Sequence, residues 1–407
     1  MTRSLRRVVH VADPEEAGPC TLRLVRLVQT LLPDIEHAVV VVGHGAHRRL
    51  AERCGLQVRT VIPAPAGWTG AFAGRVAARI AALADPEPGV GGEVDGQSVV
   101  VAWGGRALRV GEAIAPRAAG AVAWLGSREE VDRTDRWASG LPLLCASGPA
   151  MCETGGCRAC PVETTAELLE PAVLPAAPES THPRAALHRR WGCASGELVL
   201  GLLNEPVEFA DARLACYAAA IACVGGRRCR VVLHPLARGA ERWMAWSHAT
   251  GLNGAVVLDP ELAEPWRVAA GLDAVLVAGI TRVDGARPGG VGRCLAASPL
   301  PALEAMAAGV PVITEQWELL PQAVRQLGNA QCLAVPPDDR VAIARLILRL
   351  HDDPTWREGV AESGRRAALG GCEAARFATH LRAVLEGVVA RRGVGLQSAR
   401  NAAAESW

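Results

Sequence analysis

Lysine is absent from this chain. All 43 of its Lys and Arg positions are arginine, set against 42 acidic residues, for a formal net charge of +1. Exclusive use of arginine fits a GC-rich coding sequence. The charge balance removes the electrostatic case for nucleic acid as a partner, although a local basic patch remains open. No run approaches the ~18 consecutive apolar residues of a membrane span. The basic start, Met1 to Arg7, leads into a short strand and then Asp13-Pro14-Glu15-Glu16, which is no apolar signal core. Thirteen cysteines show no regular framework, and an odd number spread over 407 residues reads as reduced and intracellular. The expectation is a soluble, cytoplasmic protein.

What is present supports a large core. Half the residues are hydrophobic and 21% are charged, and the length suggests at least two domains. Continuously apolar strands are expected at Arg7–Ala12, His37–Gly43, Val58–Ile62, Ser98–Trp103 and Ala121–Trp124. Helical patterns fall between them at Thr21–Leu32, Arg48–Cys54, Ala71–Ala84 and Val110–Ala115. Apolar strands alternating with helices indicate a parallel sheet covered on both faces, with its ligand edge at the strand C-termini.

The alternation breaks after Leu144. Cys145, Cys152, Cys157 and Cys160 lie close together around Gly155-Gly156, and Cys157-x2-Cys160 has zinc-knuckle spacing. Four thiolates there would close a structural zinc site. The other reading is a chance cluster in a cysteine-bearing composition. Residues 173–184 are Pro-rich and read as a linker between an N-terminal Rossmann-like domain, 1–172, and a second one, 185–390, with a frayed tail at 391–407. In the second half, strands are expected at Glu197–Leu202, Cys229–His234, Gly254–Leu258 and Leu272–Val277, and a Gly/Pro-rich loop at Gly279–Gly292. Helices follow at 341–351, 356–368 and 373–389. Two such halves imply a cleft where a ligand binds.

One stretch organises the second half. Ala302 to Ala308 is a run of strong helix formers, Gly309 suits a left-handed C-cap, and Val310-Pro311-Val312-Ile313 is a short apolar strand. A single carboxylate, Glu304, sits inside the apolar helix near its N-terminus. It reads either as a capping acid or as a ligand for a bound hydroxyl, with neighbouring N–H groups facing phosphate.

Leu303-Glu304-Ala305-Met306-Ala307-Ala308-Gly309-Val310-Pro311-Val312-Ile313 resembles the helix-and-strand signature of the retaining glycosyltransferases of family 4, which have the two-domain GT-B fold. Leu272-Asp273-Ala274-Val275-Leu276-Val277, Leu333 to Asp339 and Leu350 to Arg357 agree with that family in order and spacing. The resemblance implies an α/β protein of two Rossmann-like domains with C-terminal helices packing back. The N-terminal domain would be the acceptor side and the C-terminal domain would take a nucleotide-diphosphate sugar. It implies ribose binding by Glu304, close backbone approach at Gly201, and no cofactor for the chemistry beyond the donor. The acceptor would be a glycan, a lipid or a small molecule.

The chain also departs from that pattern. Ala296 stands eight residues before Glu304, where the family carries an acid on the donor sugar. Leu202 and Val207 occupy the positions of its diphosphate-binding Arg and Lys. Arg293, Arg282 and Arg238 are the candidates to replace that charge, each equally readable as a solvated surface residue. No catalytic nucleophile is evident. Three readings follow: a glycosyltransferase, a catalytically degenerate relative acting as a nucleotide-binding or scaffold protein, or another GT-B enzyme such as a sugar epimerase.

Overall fold

The computed structural model describes residues 5–63, 98–103, 107, 120–125, 143–145, 167–168, 182–205, 207, 210–250, 252, 254–278, 280–282, 293–295, 298–315, 320, 324–325, 332–372 and 374–405. The expected helices at 71–84 and 110–115 lie outside them, as do Cys152, Cys157 and Cys160. The chain divides into two compact units. One comprises Met1–Gly126, Glu130–Glu170 and Ala374–Trp407; the other comprises Ser127–Glu129 and Pro171–Glu373.

The first unit is built on strands β1 (Arg7–Ala12), β2 (Glu36–Val42), β3 (Val58–Ile62), β4 (Ser98–Trp103), β5 (Gly120–Leu125), β6 (Leu143–Cys145) and β7 (Glu167–Leu168). They form one parallel sheet in the order β3-β2-β1-β4-β5-β6-β7. Cys145, the one described member of the cysteine cluster, ends β6. The first five strands fall within a residue or two of the sequence reading because β1, β2, β4 and β5 are Val/Ala runs, while β3, at the sheet's edge, buries Val58 and Ile62 and exposes Arg59. Helix α1 (Pro14–Leu31) begins before the expected helix and is broken at Gly18, whose φ of 71° suits glycine, with Pro19 restarting it. Helix α2 is Gly45–Arg53.

The second unit starts with α3 (Arg184–Trp191) and continues through β8 (Leu198–Leu203), α4 (Ala212–Val224), β9 (Cys229–Leu233), α5 (Ala240–Ala249), β10 (Val256–Leu258), α6 (Pro265–Val268) and β11 (Ala274–Val277). A small antiparallel hairpin follows, β12 (Ile280–Arg282) with β13 (Arg293–Leu295), where the sequence suggests loop. Then come α7 (Leu300–Ala307), β14 (Val312–Thr314), β15 (Cys332–Ala334), α8 (Arg340–Asp352) and α9 (Pro354–Gly371). The sheet is parallel throughout in the order β10-β9-β8-β11-β14-β15. Side chains alternate across it. Leu198, Leu200 and Leu202 pack in one core layer with Leu214 of α4 and Ile347 of α8, while Val199 and Leu203 pack in the other with Trp191 of α3 and Met306 of α7.

The last helix, α10 (Ala374–Glu405), returns to the first unit. It is helical through residues 391–405, which the sequence reading leaves as a frayed tail. Ala, Arg and Leu sustain it, and no proline interrupts it. Phe377, Leu381, Val384, Leu385 and Val388 form its buried stripe, against α1, β4 and β5. Arg382 holds Asp34 through both terminal nitrogens, at 2.8 and 2.5 Å.

One polar chain crosses the core of the first unit. The Trp103 indole N–H donates to His10 Nδ1 at 3.1 Å, His10 Nε2 lies 3.0 Å from His37 Nδ1, and His37 Nε2 lies 2.9 Å from the Leu32 carbonyl. Because indole only donates and a carbonyl only accepts, the chain closes with one proton on the Nε2 of each imidazole, both neutral. Burial pushes the His10 pKa well below the ordinary value, reinforced by the neighbouring His37, and burial lowers that of His37 too. As the pH falls past the ordinary histidine value, the unfolded chain takes up protons that the folded protein refuses. Stability therefore declines between about pH 7 and pH 5. Denaturant melts are expected to show that slope flattened in His10→Leu. The same variant is expected to lose about 1–3 kcal/mol at neutral pH, because leucine replaces neither the buried bond from Trp103 nor the one to His37.

Candidate functional site

In the second sheet the chain order reverses at β8 and β11: β9 and β10 lie to one side of that pair, β14 and β15 to the other. Crossovers leave in opposite directions there, so the loops at the strand C-termini part and leave room for a ligand. The buried polar residues Asn204 and Glu205 follow β8 directly, and Thr314 and Glu315 close β14. Thr314 Oγ1 donates to the Val277 carbonyl at 3.2 Å and ties the ends of β14 and β11 together.

Helix α7 enters from this edge, since it leads into β14, which pairs in parallel with β11. All eight of its residues are buried, Glu304 included, one turn from the N-terminus. The donors expected at that N-terminus are largely committed. Leu300 N–H donates to Ser298 Oγ at 3.2 Å, Pro301 has none, and Leu303 N–H donates to the Pro299 carbonyl at 3.0 Å. An anion at this edge therefore depends on side-chain cations more than on the helix terminus.

Arg238 is such a cation. It is exposed in the loop between β9 and α5, its backbone bridges to Asp211 at the start of α4, and it has no ion-pair partner among the described residues. Arg293 begins β13, directly across from Arg282 on β12, so two of the sequence candidates share one register position just ahead of α7.

Gly201 differs from expectation. It lies mid-strand in β8, opposite Val275 and Val232, and a Cβ there would meet the Leu272 and Leu262 side chains at 3.1 and 3.2 Å. The space its missing side chain leaves is filled by core leucines, so it serves close packing and not approach of a ligand. Leu202 is likewise buried in the opposite core layer and offers nothing to a phosphate.

Sequence reasoning stopped one residue short of a further group. Glu315 Oε1 accepts from the Asp338 N–H at 2.5 Å, which helps hold Asp338 at a φ of 59°. Arg213 Nη2 donates to Asp338 Oδ1 at 3.1 Å and to Asp211 Oδ2 at 3.2 Å, and Arg340 Nε lies 3.8 Å from Asp338 Oδ1. Glu315 Oε2 is buried with no hydrogen-bond partner among the described residues. Burial, with Asp338 and Asp211 adding to it, pushes the Glu315 carboxyl up to about 7. The legible signal was its place: a carboxylate directly after a buried parallel strand is held at the sheet's ligand edge.

No family model matches this chain, and no curated protein matches it by sequence. Solved structures do match its fold. A glycosyltransferase from Rickettsia africae superposes with a TM-score of 0.65 at 11% identity, over 95% of this chain and 99% of that one. Anabaena HepE in complex with UDP-glucose gives 0.63 at 16%, over 94% and 99%. A UDP-N-acetylglucosamine 2-epimerase gives 0.53 at 13%, over 88% and 91%. The chain thus has the α/β, two-domain GT-B fold.

Two substitutions probe this edge and the strand behind it. The folded state keeps the Glu315 proton up to about pH 7, so its stabilising share is complete below the ordinary carboxyl value and is lost as the pH rises through 7. Glu315→Gln is expected to abolish that loss and to be about 1–3 kcal/mol more stable than the parent near pH 8 in chemical denaturation. Gly201→Ala is expected to cost about 1–3 kcal/mol by overpacking Leu262 and Leu272, read as a lowered Tm.

Proposed function

We propose that the protein binds a nucleoside-diphosphate sugar at the C-terminal edge of its second sheet and transfers the sugar to an acceptor. The observation that carries this is the junction of β8 and β11 with α7 entering beside it and Glu304 one turn in. A carboxylate there accepts hydrogen bonds from two ribose hydroxyls at once, and bonds to an anion exceed those between neutral groups. The fold likeness to HepE, solved with UDP-glucose, supports a nucleotide sugar as the donor class.

Transfer breaks the bond from the sugar's anomeric carbon to the diphosphate and forms one to the acceptor oxygen. Negative charge grows on the departing diphosphate, and cations aimed at it are a principal catalytic term. Arg238, free of ion pairs among the described residues, and Arg293 are assigned that role. Family 4 is the nearest relationship the signature at 303–313 suggests.

A second reading has its own support. Leu202 is locked in the core and Ala296 carries no acid, so two groups that would act on the donor in family 4 are missing. A nucleotide-binding protein without turnover fits those losses.

Thermal melts with UDP and GDP separate these readings from neither. At least one nucleotide is expected to raise Tm, and Glu304→Ala to weaken its binding by about 10-fold to 100-fold. Absence of a shift with any nucleoside diphosphate would sink both readings. Binding with no nucleoside diphosphate released from UDP-sugars or GDP-sugars, across glycan, lipid and small-molecule acceptors, would select the second.

A further inference from the structure

The first unit carries a cavity of about 660 Å³ on the side of its sheet away from the strand C-termini. Its floor is the beginning of β2 and β3, at His37, Ala38, Val58 and Arg59; α1 and α2 form its walls. Since β3 is the outermost strand of the sheet, the cavity opens at the sheet's edge. That size suits a small molecule and exceeds what a single bare ion needs.

Its charge is one-sided. Arg26 from α1, Arg48 from α2 and Arg59 from β3 line it, against the single carboxylate of Glu52. Glu52 is taken up by Arg48, one helical turn away at 2.7 Å. Arg59 has only a 3.7 Å approach to Glu36, which Arg7 already binds at 2.5 Å. Arg26 has no ion-pair partner among the described residues, and its stem lies 3.6 to 3.7 Å from where a Cβ on Gly55 would be. In a chain of net charge +1, three guanidinium groups around one cavity are a local concentration and not the overflow of a basic protein.

Gln29 brings an amide side chain to the α1 wall. Gln57 brings a second amide. His37 offers neither donor nor charge, because both its ring nitrogens are spent on His10 and the Leu32 carbonyl. A ligand that answers all of this carries a dianionic group for planar, bidentate guanidinium forks and, a few bonds away, hydroxyls for the amides.

We propose that this cavity is a second ligand site, separate from the edge assigned to the donor, and that it takes a small phosphorylated sugar or polyol. The phosphate lies among Arg26, Arg48 and Arg59, and the ligand hydroxyls face the amides of Gln29 and Gln57.

Isothermal titration of the full chain at low ionic strength tests it, with glucose 6-phosphate, inorganic phosphate and unphosphorylated glucose as probes. Glucose 6-phosphate is expected to bind more tightly than either of the other two. The double variant Arg26→Ala/Arg59→Ala is expected to weaken it by at least about tenfold, with partial recovery in Arg26→Lys/Arg59→Lys. Both positions are exposed, and an unchanged melting curve in each variant certifies the fold. Gln29→Leu is expected to narrow the preference for glucose 6-phosphate over inorganic phosphate, while Glu304→Ala leaves the binding intact. Three results would each overturn the proposal: no binding of glucose 6-phosphate, binding unchanged in the double Ala variant, or inorganic phosphate binding as tightly as glucose 6-phosphate, which marks an adventitious anion only.

Discussion

Burial of parallel strands on both faces is the constraint on which the rest of the structure depends. β1 and β8 each sit between two parallel neighbours, β8 lies beneath helices on either side, and every residue of β8 is buried. A strand in that position has no solvent-facing edge or face on which to carry a polar side chain. Polar chemistry is therefore expelled to the strand ends or forced into closed hydrogen-bond chains. The Trp103, His10, His37 and Leu32 chain is the second case, with its donors and acceptors matched one to one. The carboxylates and arginines at the C-terminal edge of the second sheet are the first.

The same constraint explains why the two candidate ligand positions differ in character. At the edge of the second sheet, buried acids and a network around Arg213 surround the strand ends, and one carboxyl, Glu315, titrates near neutrality because burial is only partly offset by the Asp338 N–H and Arg213. The arginine-lined cavity of the first unit lies over the N-terminal ends of its strands and is open to solvent, with Arg48 paired to Glu52 and Arg26 without an ion-pair partner among the described residues. Buried carboxylates mark the one place and exposed guanidinium groups the other.

Much of the fold was legible because Val/Ala strands and Ala/Leu/Arg helices alternate with little ambiguity. β1, β3, β4 and β9 fall at or within a residue of where hydrophobic runs put them. The misses have local causes. The β12 and β13 hairpin hides in a Gly/Pro-rich stretch, where pairing, not composition, makes the strand. α10 runs to Glu405 although the segment past 390 has no sustained apolar stripe in its sequence, the cue on which the sequence reading of a helix depends. Glu304 was visible as a lone carboxylate in an apolar helix. Gly201 was misread, because a glycine in a strand looks the same in sequence whether a ligand or a leucine fills the space beside it.

By itself the sequence determined that this is a two-part α/β protein with parallel sheets, and it singled out the 300–314 segment as the one where helix, strand and carboxylate meet. Those are consequences of short-range pattern: period, propensity and turn chemistry act over a few residues and need no partner. Only the tertiary structure decided which polar groups share a place. Glu315 and Asp338, from two loops, meet Arg213 and Asp211 at the start of α4, with Arg213 and Asp338 125 residues apart, and Arg26, Arg48 and Arg59 converge from two helices and a strand. Charge, burial and pKa depend on distance through space, and the folding of the sheet alone sets that distance.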